Sequence, residues 1–137
     1  MIESKVQQIP YSQESVFNTL SDFNNLKLFA DRIPQDQLKD LKFDSDSLSC
    51  SVPMAGQVTL RIIERQPYKC IKLVTDKSPV SMTMWIQIVP TGTDSCKMKL
   101  TLDAGMNGIM AKMIEKPLRE GIEKIAFAFA SIPYSKL

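Results

Sequence analysis

The spacing of hydrophobic residues along the chain changes three times: it alternates, becomes helical, alternates again and ends helical. Residues 2–9 alternate loosely before the helical spacing begins, which predicts an edge strand. The helical spacing starts at Ser12, whose hydroxyl can accept one of the unpaired backbone N–H groups of a first helical turn. The residues at 21–22 can cap the start of another helix, and further apolar residues follow them. We therefore expect two short helices after the first strand.

From residue 41 to residue 103, apolar and polar residues alternate in short runs separated by turn residues. Period two is the spacing of a strand with one buried and one solvated face. The connections between the runs are short, which implies that successive strands are joined as antiparallel hairpins. The pattern predicts an antiparallel sheet that is covered on one side only.

The last helical pattern, at residues 108–130, predicts the longest helix of the chain. At 1.5 Å per residue this helix would extend about 35 Å, enough to cover the dry face of the sheet. Pro117 lies inside it, where proline removes a backbone N–H and crowds the preceding turn, so we expect a bend. Gly121 follows one turn later, and we expect it to let the helix approach the sheet closely.

Length and charge exclude several classes of protein. The 137 residues fit one domain, spanning 1–137, and the net charge of +2, from 17 basic and 15 acidic residues, argues against a nucleic-acid partner. No segment approaches the ~20 apolar residues of a membrane-spanning helix. The N-terminal residues lack the apolar stretch of a signal peptide. We expect a cytoplasmic protein without a membrane span.

The residue types also limit the chemistry. The chain has no histidine, which argues against a zinc site and excludes the usual Ser-His-Asp and Cys-His arrangements. Its three cysteines, Cys50, Cys70 and Cys96, are far apart and form no CxxC pair, so we expect reduced thiols. No glycine-rich phosphate-binding loop occurs. The sequence predicts no metal and no cofactor, and it carries no catalytic signature.

Three stretches resemble the START-like helix-grip superfamily (SRPBCC), which includes polyketide cyclases, coenzyme-Q-binding proteins and birch-pollen-allergen-like proteins. They are "IPYSQESVFNTLSDFNNLKLF", "IVPTGTDSCKMKLTL" and "MNGIMAKMIEKPLREGIEKIAFAFA". The resemblance implies an α+β fold with a curved antiparallel sheet of six or seven strands. Two short helices would follow the first strand, and the long C-terminal helix would pack on the sheet. A fold does not specify an activity.

The resemblance also implies a pocket between sheet and helix that binds a small hydrophobic ligand, such as a lipid, an isoprenoid or a polyketide-like molecule. Several candidate lining residues are methionines, which are common on adaptable binding surfaces. The candidates are Phe29, Leu60, Ile62, Leu73, Met84, Ile86, Met98, Met110, Met113, Ile114 and Pro117. Ordinary core packing explains the same apolar positions.

Two alternatives remain open at this point. Glu64 falls on the face of Leu60 and Ile62 by period two, so its carboxylate would lie at the pocket rim. A desolvated carboxylate or tyrosine there would suit a cyclase- or aromatase-like enzyme. Trp85 falls on the opposite face from Met84, where an exposed tryptophan would suit a protein contact. That surface would make the chain an interaction module, with a protein partner or as a homodimer.

Overall fold

The computed structural model describes residues 2–25, 42–52, 56–76, 81–103, 108–132 and 134. The order of elements is β1 (Ile2–Glu3), β2 (Gln7–Ile9), α1 (Gln13–Leu20), β3 (Lys42–Phe43), β4 (Ser47–Val52), β5 (Gly56–Gln66), β6 (Cys70–Thr75), β7 (Thr83–Gly92), β8 (Ser95–Asp103) and α2 (Gly108–Ala130). α1 is followed by a 3₁₀ turn at residues 23–25. The remainder of the second short helix predicted from sequence lies outside the described residues.

The strands form one antiparallel sheet in the order β1-β8-β7-β6-β5-β4-β3, with β2 also paired to β8. Strands β3 to β8 each pair with their neighbours in the chain, which confirms the predicted run of hairpins. Within the described residues the sheet has eight strands. One more strand appears than the sequence predicts because the first predicted strand is divided in two, and both parts pair with β8.

A β-bulge divides that first strand. Glu3 faces Thr101 and Gln7 faces Met98, so four residue steps on one strand lie opposite three on the other. The extra residue lies between Ser4 and Gln7. It changes which residues face inward, which explains the loose alternation. Within the bulge, the Lys5 backbone N–H donates to the Glu123 carboxylate of α2 (2.5 Å), which ties the sheet edge to the long helix.

The N-terminal end of α1 is capped as predicted, because the Ser12 hydroxyl accepts a hydrogen bond from the Ser15 N–H (3.1 Å). The buried side of α1 packs near β7. Phe23 follows in the 3₁₀ turn and is fully buried. Its ring lies 6.2 Å from that of Phe43 on β3 and 6.4 Å from that of Phe129 on α2. One aromatic cluster therefore joins the short-helix region, the sheet and the long helix.

The chain beyond α2 returns to the core through Tyr134. Its hydroxyl donates to the Phe129 carbonyl (2.6 Å), one of the carbonyls that the last helical turn leaves without an intrahelical partner. Its ring packs edge to face with Tyr11 at 5.7 Å. Burial, with a smaller effect of Cys96, raises the pKa of the Tyr134 phenol far above its usual range. The hydroxyl therefore stays protonated and keeps donating.

Asp44 closes the turn between β3 and β4. One of its carboxylate oxygens accepts the N–H groups of Ser47 (2.8 Å) and Asp46 (2.9 Å). A hydrogen bond from the Ser47 side chain, followed by the one from the Asp46 N–H, lowers the pKa of the carboxyl below its ordinary value of 3.8. A lowered carboxyl pKa adds to stability above the ordinary value, and that contribution is lost as the pH falls through the lowered one.

We expect Asp44→Asn to reduce the loss of stability at acid pH. The asparagine does not titrate, so the variant's unfolding free energy should fall less steeply below pH 3.8 than that of the wild type. Urea unfolding at a series of pH values measures both slopes. Asp94→Asn is the control, since the Asp94 carboxylate in the β7–β8 turn accepts no hydrogen bond from a described residue. Equal slopes for wild type and Asp44→Asn would contradict a contribution of the lowered Asp44 pKa to stability.

Candidate functional site

One face of the sheet carries the buried side chains of β5 to β8, and we call it the inner face. Ile62 lies opposite Leu73, and Leu73 lies opposite Met84, so these three side chains form a row across three strands. Neighbouring rows on the same face contain Leu60, Ile86 and Met98. All six are buried. The structure therefore brings together on one surface the six candidate residues of β5 to β8.

The long helix covers this face with a stripe formed by Leu118, Ile122, Ile125 and Phe129, all buried. Pro117 and Gly121 are partly exposed at the border of the stripe. Within the described residues, α2 comes closest to β8, β1 and β2 on one flank of the sheet and to β4 on the other. The strands β7, β6 and β5 lie between these flanks, so the helix spans the middle of the sheet rather than packing along one strand.

Met113 does not lie in the stripe as predicted from the sequence. Its side chain is 48% exposed. Seven residues make almost two turns of an α-helix, so Met113 lies on the same side of α2 as the exposed Glu120. The expected inward position of Met113 was wrong because it is too far around the helix from Leu118 and Ile122.

Gly121 differs from its expected role as well. A Cβ atom built on this residue would have no heavy atom of the described residues within 4 Å, apart from the adjacent residues and backbone of its own helix. The glycine is therefore not required for a close approach of helix and sheet, and the prediction of one was wrong. It borders open space beside the apolar stripe instead. Of the remaining candidates, Phe29 and the side chains of Met110 and Ile114 lie outside the described residues.

Glu64 was predicted on the inner face and lies on the outer one. Ile62 faces Leu73 but Glu64 faces Lys72, so β5 has one extra residue, Ile63, at this point. Directly opposed residues project to the same side, and Lys72 lies between the buried Ile71 and Leu73. The bulge thus moves Glu64 across the sheet. There its carboxylate accepts a hydrogen bond from the Gln66 amide (3.1 Å).

Trp85 lies on the outer face, as its position in the alternation predicts. It is partly buried between Met84 and Ile86, which point inward. Its cross-strand neighbour is Lys72, whose ammonium lies 5.9 Å from the centre of the indole ring, within the range of a cation–π contact. The protein-contact role of Trp85 stays a prediction.

The inner face is not equally closed along its width. Leu73, Met84 and Ile86 have no accessible surface, whereas Leu60 on β5 keeps 8% and Ile125 on α2 keeps 7%. A side chain that lines a space large enough for water retains accessible surface in it. The rows on β6 and β7 are therefore filled by neighbouring side chains, and the larger accessible surfaces on the two facing layers belong to Leu60 and Ile125.

Structural comparison identifies proteins of the same architecture, although no protein-family model and no curated protein matches the chain by sequence. Norcoclaurine synthase from Thalictrum flavum superposes with a TM-score of 0.70 at 20% identity, covering 94% of this chain and 83% of the synthase. A START superfamily protein from Mycobacterium smegmatis gives 0.62 at 16% identity, covering 94% and 93%. A Thermobifida fusca protein gives 0.65 at 15%, covering 99% and 93%. The chain has the START-like helix-grip fold. At these identities the comparisons establish the fold and leave the activity open.

The interior of this helix-grip domain carries no charged side chain among the described residues. The buried polar residues are Ser4, Thr19, Ser47 and Thr101, and no buried polar side-chain atom in the described part lacks a hydrogen-bond partner. The described residues also contain no group of three or more potential metal ligands. With Glu64 outside and the Tyr134 hydroxyl committed to the Phe129 carbonyl, neither supplies the inner acid or base that the enzyme alternative requires.

Arg65 holds α1 against this helix-grip sheet, a role that its position in the sequence does not indicate. After the bulge, Arg65 faces Ile71 on the inner side. Its guanidinium donates to the Ser21 carbonyl at the end of α1 (2.9 Å) and to the Asp46 carboxylate (2.6 Å). Strict alternation places Arg65 outward, so only the bulge reveals the contact.

Within the described residues, no helix has both the length and the apolar composition needed to cross a membrane.

Proposed function

We propose that the protein binds a small, uncharged hydrophobic molecule between the inner face of the sheet, at β5, and the long helix α2. The observation that carries the proposal is the open space beside Gly121, at the border of a buried apolar stripe. Leu60 and Ile62 on β5 and Pro117 on α2 are the proposed walls. Leu73, Met84, Ile86 and Met98 would form a packed floor that a ligand reaches only by displacing the side chains that cover it.

The chemistry of these walls favours an apolar ligand. Burying hydrocarbon contributes about 25 cal/mol per Å² removed from water, without any requirement for matching charges. A charged ligand would lose its hydration, which is costly. Arg65, which the bulge brings to the inner side, is already paired with the Asp46 carboxylate (2.6 Å). Leu60, Ile62 and Leu118 supply branched aliphatic surface of the kind that commonly lines ligand pockets.

The fold comparison supports the size class of the ligand. Norcoclaurine synthase is described in complex with dopamine and hydroxybenzaldehyde, which are small aromatic molecules. A helix-grip domain of similar architecture thus accommodates ligands of one ring. We therefore propose a ligand of comparable size, an aromatic or isoprenoid compound without a formal charge, for this chain.

The test is to fill the space with a side chain. We expect Gly121→Leu to weaken binding of a neutral hydrophobic fluorescent probe about tenfold, since losing about 60 Å² of apolar contact costs about 1.5 kcal/mol. The variant should fold, because leucine is a better helix former than glycine and the added Cβ meets no atom of the described residues beyond its own stretch of helix. Probe titration measures the affinity, and native mass spectrometry of the purified protein detects any co-purifying molecule.

Two further variants control this experiment. Gly121→Ala adds one methyl group to the same space, so it should bind the probe almost normally and gain up to about 1 kcal/mol of stability. Glu120→Leu adds the same side chain as the test variant on an exposed position of α2 and should leave the affinity unchanged. Equal affinities for wild type and Gly121→Leu, or no binding of any neutral probe, would contradict the proposed site.

A further inference from the structure

The outer face of the sheet contains a depression of about 280 Å³ on the opposite side from the proposed ligand space. It is lined by Val6, Gln87, Val89, Lys97, Met98 and Lys99. Gln87 lies directly opposite Lys99, and Val89 lies opposite Lys97, so two adjacent rows of β7 and β8 form the floor. Val6 belongs to the bulge between β1 and β2.

The bulge creates this depression. The extra residue turns the Val6 side chain toward the outer side of the sheet edge, next to the β7–β8 rows. Bulges often redirect a side chain in this way. Val6 is 51% exposed and Val89 is 48% exposed. The depression therefore presents two aliphatic surfaces to solvent on a face that is otherwise polar around them.

The polar groups of the depression that remain unpaired are all hydrogen-bond donors. Lys99 is neutralised by an ion pair with Glu3 (3.1 Å), whereas Lys97 makes no ion pair with any described side chain. The Gln87 carbonyl oxygen accepts the Thr101 hydroxyl (2.8 Å), which leaves the Gln87 amide N–H₂ as the donor facing outward. The rim thus offers one uncompensated ammonium and one amide donor beside the two valines.

We propose that this depression binds a small amphipathic monocarboxylate, with its hydrocarbon tail on Val6 and Val89 and its carboxylate on the Lys97 ammonium. An anion is favoured because both available donors are uncompensated, and a tail is favoured because the rest of the exposed lining is aliphatic. The volume of about 280 Å³ is just below the range of about 300–1,000 Å³ typical of drug-sized ligands, which limits the tail to a few carbons. The site is independent of the function proposed above.

Hexanoate is the probe, followed by the backbone amide shifts of ¹⁵N-labelled protein. We expect saturable shifts at Val6, Gln87, Val89 and Lys97, with a dissociation constant of about 1 mM, since an exposed site of this size offers few contacts. Hexanol and acetate should each bind more weakly, because the first lacks the charge and the second lacks the tail. Val89→Thr keeps the side-chain shape but reduces its hydrophobicity, so it should weaken hexanoate more than acetate.

Lys97→Gln supplies the charge test, with an expected loss of about fivefold in hexanoate affinity, the size expected for one exposed ion pair. Lys116→Gln on the exposed side of α2 changes the net charge equally and should have no effect. The proposal is overturned if hexanoate binds Lys97→Gln as well as wild type, or if hexanol binds as tightly as hexanoate. Shifts confined to inner-face residues such as Leu60 and Ile62 would also overturn it.

Discussion

Phe129→Ala should lower the free energy of unfolding by about 3–5 kcal/mol, the usual cost of removing a fully buried phenylalanine ring. Phe129 is 2% exposed, and its ring packs 6.4 Å from the ring of Phe23. The substitution removes the contact through which α2 joins the aromatic cluster of the 3₁₀ turn and β3. Urea unfolding followed by circular dichroism measures the change.

Phe127→Ala is the matched control on the same helix. Phe127 is 60% exposed, so its truncation should change the unfolding free energy by less than about 0.5 kcal/mol. The two variants lose the same atoms and gain the same helix former, and they differ only in what the ring touches. A loss below about 1 kcal/mol for Phe129→Ala would mean that α2 is not firmly docked on the inner face. The proposed ligand space would then lack its helical wall.

The regular parts of this fold could be predicted from the sequence because each is determined by a local pattern. Alternation on β7 and β8 identified the buried sets that contain Met84 and Met98, and the structure buries both. The helical period located α2, and Ser12 marked the start of α1. In these elements, a residue is buried or exposed according to the side of its own strand or helix to which its side chain points. The spacing of apolar residues in the sequence shows that side directly.

The bulges in the first strand and in β5 could not be predicted, because they depend on how one strand is aligned with another. The run Ile62-Ile63-Glu64 is compatible with uninterrupted alternation, and only its register against β6 shows that Ile63 is extra. That single residue reversed the placement of Glu64 and produced the Arg65 contact with α1. Each consequence follows from a change of one residue in register, which exchanges the two faces of a strand.

The candidate site was predicted in part for a similar reason. Spacing identified the apolar residues that face inward on β5 to β8, but it carries no information on whether a second layer fills the space above them. Leu60 and Leu73 share an apolar inner face and differ in accessible surface only because of what packs on them. The open space beside Gly121 depends on atoms from several distant segments, and period alone led to the opposite expectation.

Met84→Ala should destabilise the protein by about 2–5 kcal/mol, whereas Met113→Ala should change stability by less than about 0.5 kcal/mol. The sequence places both methionines in one ligand pocket, and the structure separates them. Met84 has no accessible surface at the centre of the sheet, while Met113 is 48% exposed on the outer side of α2. The pair therefore compares one side chain in a filled floor with the same side chain in solvent. Thermal and urea unfolding of both variants measure the difference.

The Met84→Ala variant also connects stability to binding. Removing the side chain leaves an apolar cavity beside the proposed ligand space. A neutral hydrophobic ligand that enters this cavity would restore stability by about 2.7 kcal/mol when its concentration is a hundredfold above its dissociation constant. The same ligand should stabilise Met113→Ala no more than it stabilises the wild type. Equal destabilisation of the two variants would place Met113 in the core. An accessible apolar cavity binds apolar molecules of matching size. If no neutral ligand stabilises Met84→Ala, the space under α2 is therefore closed to small molecules even after enlargement.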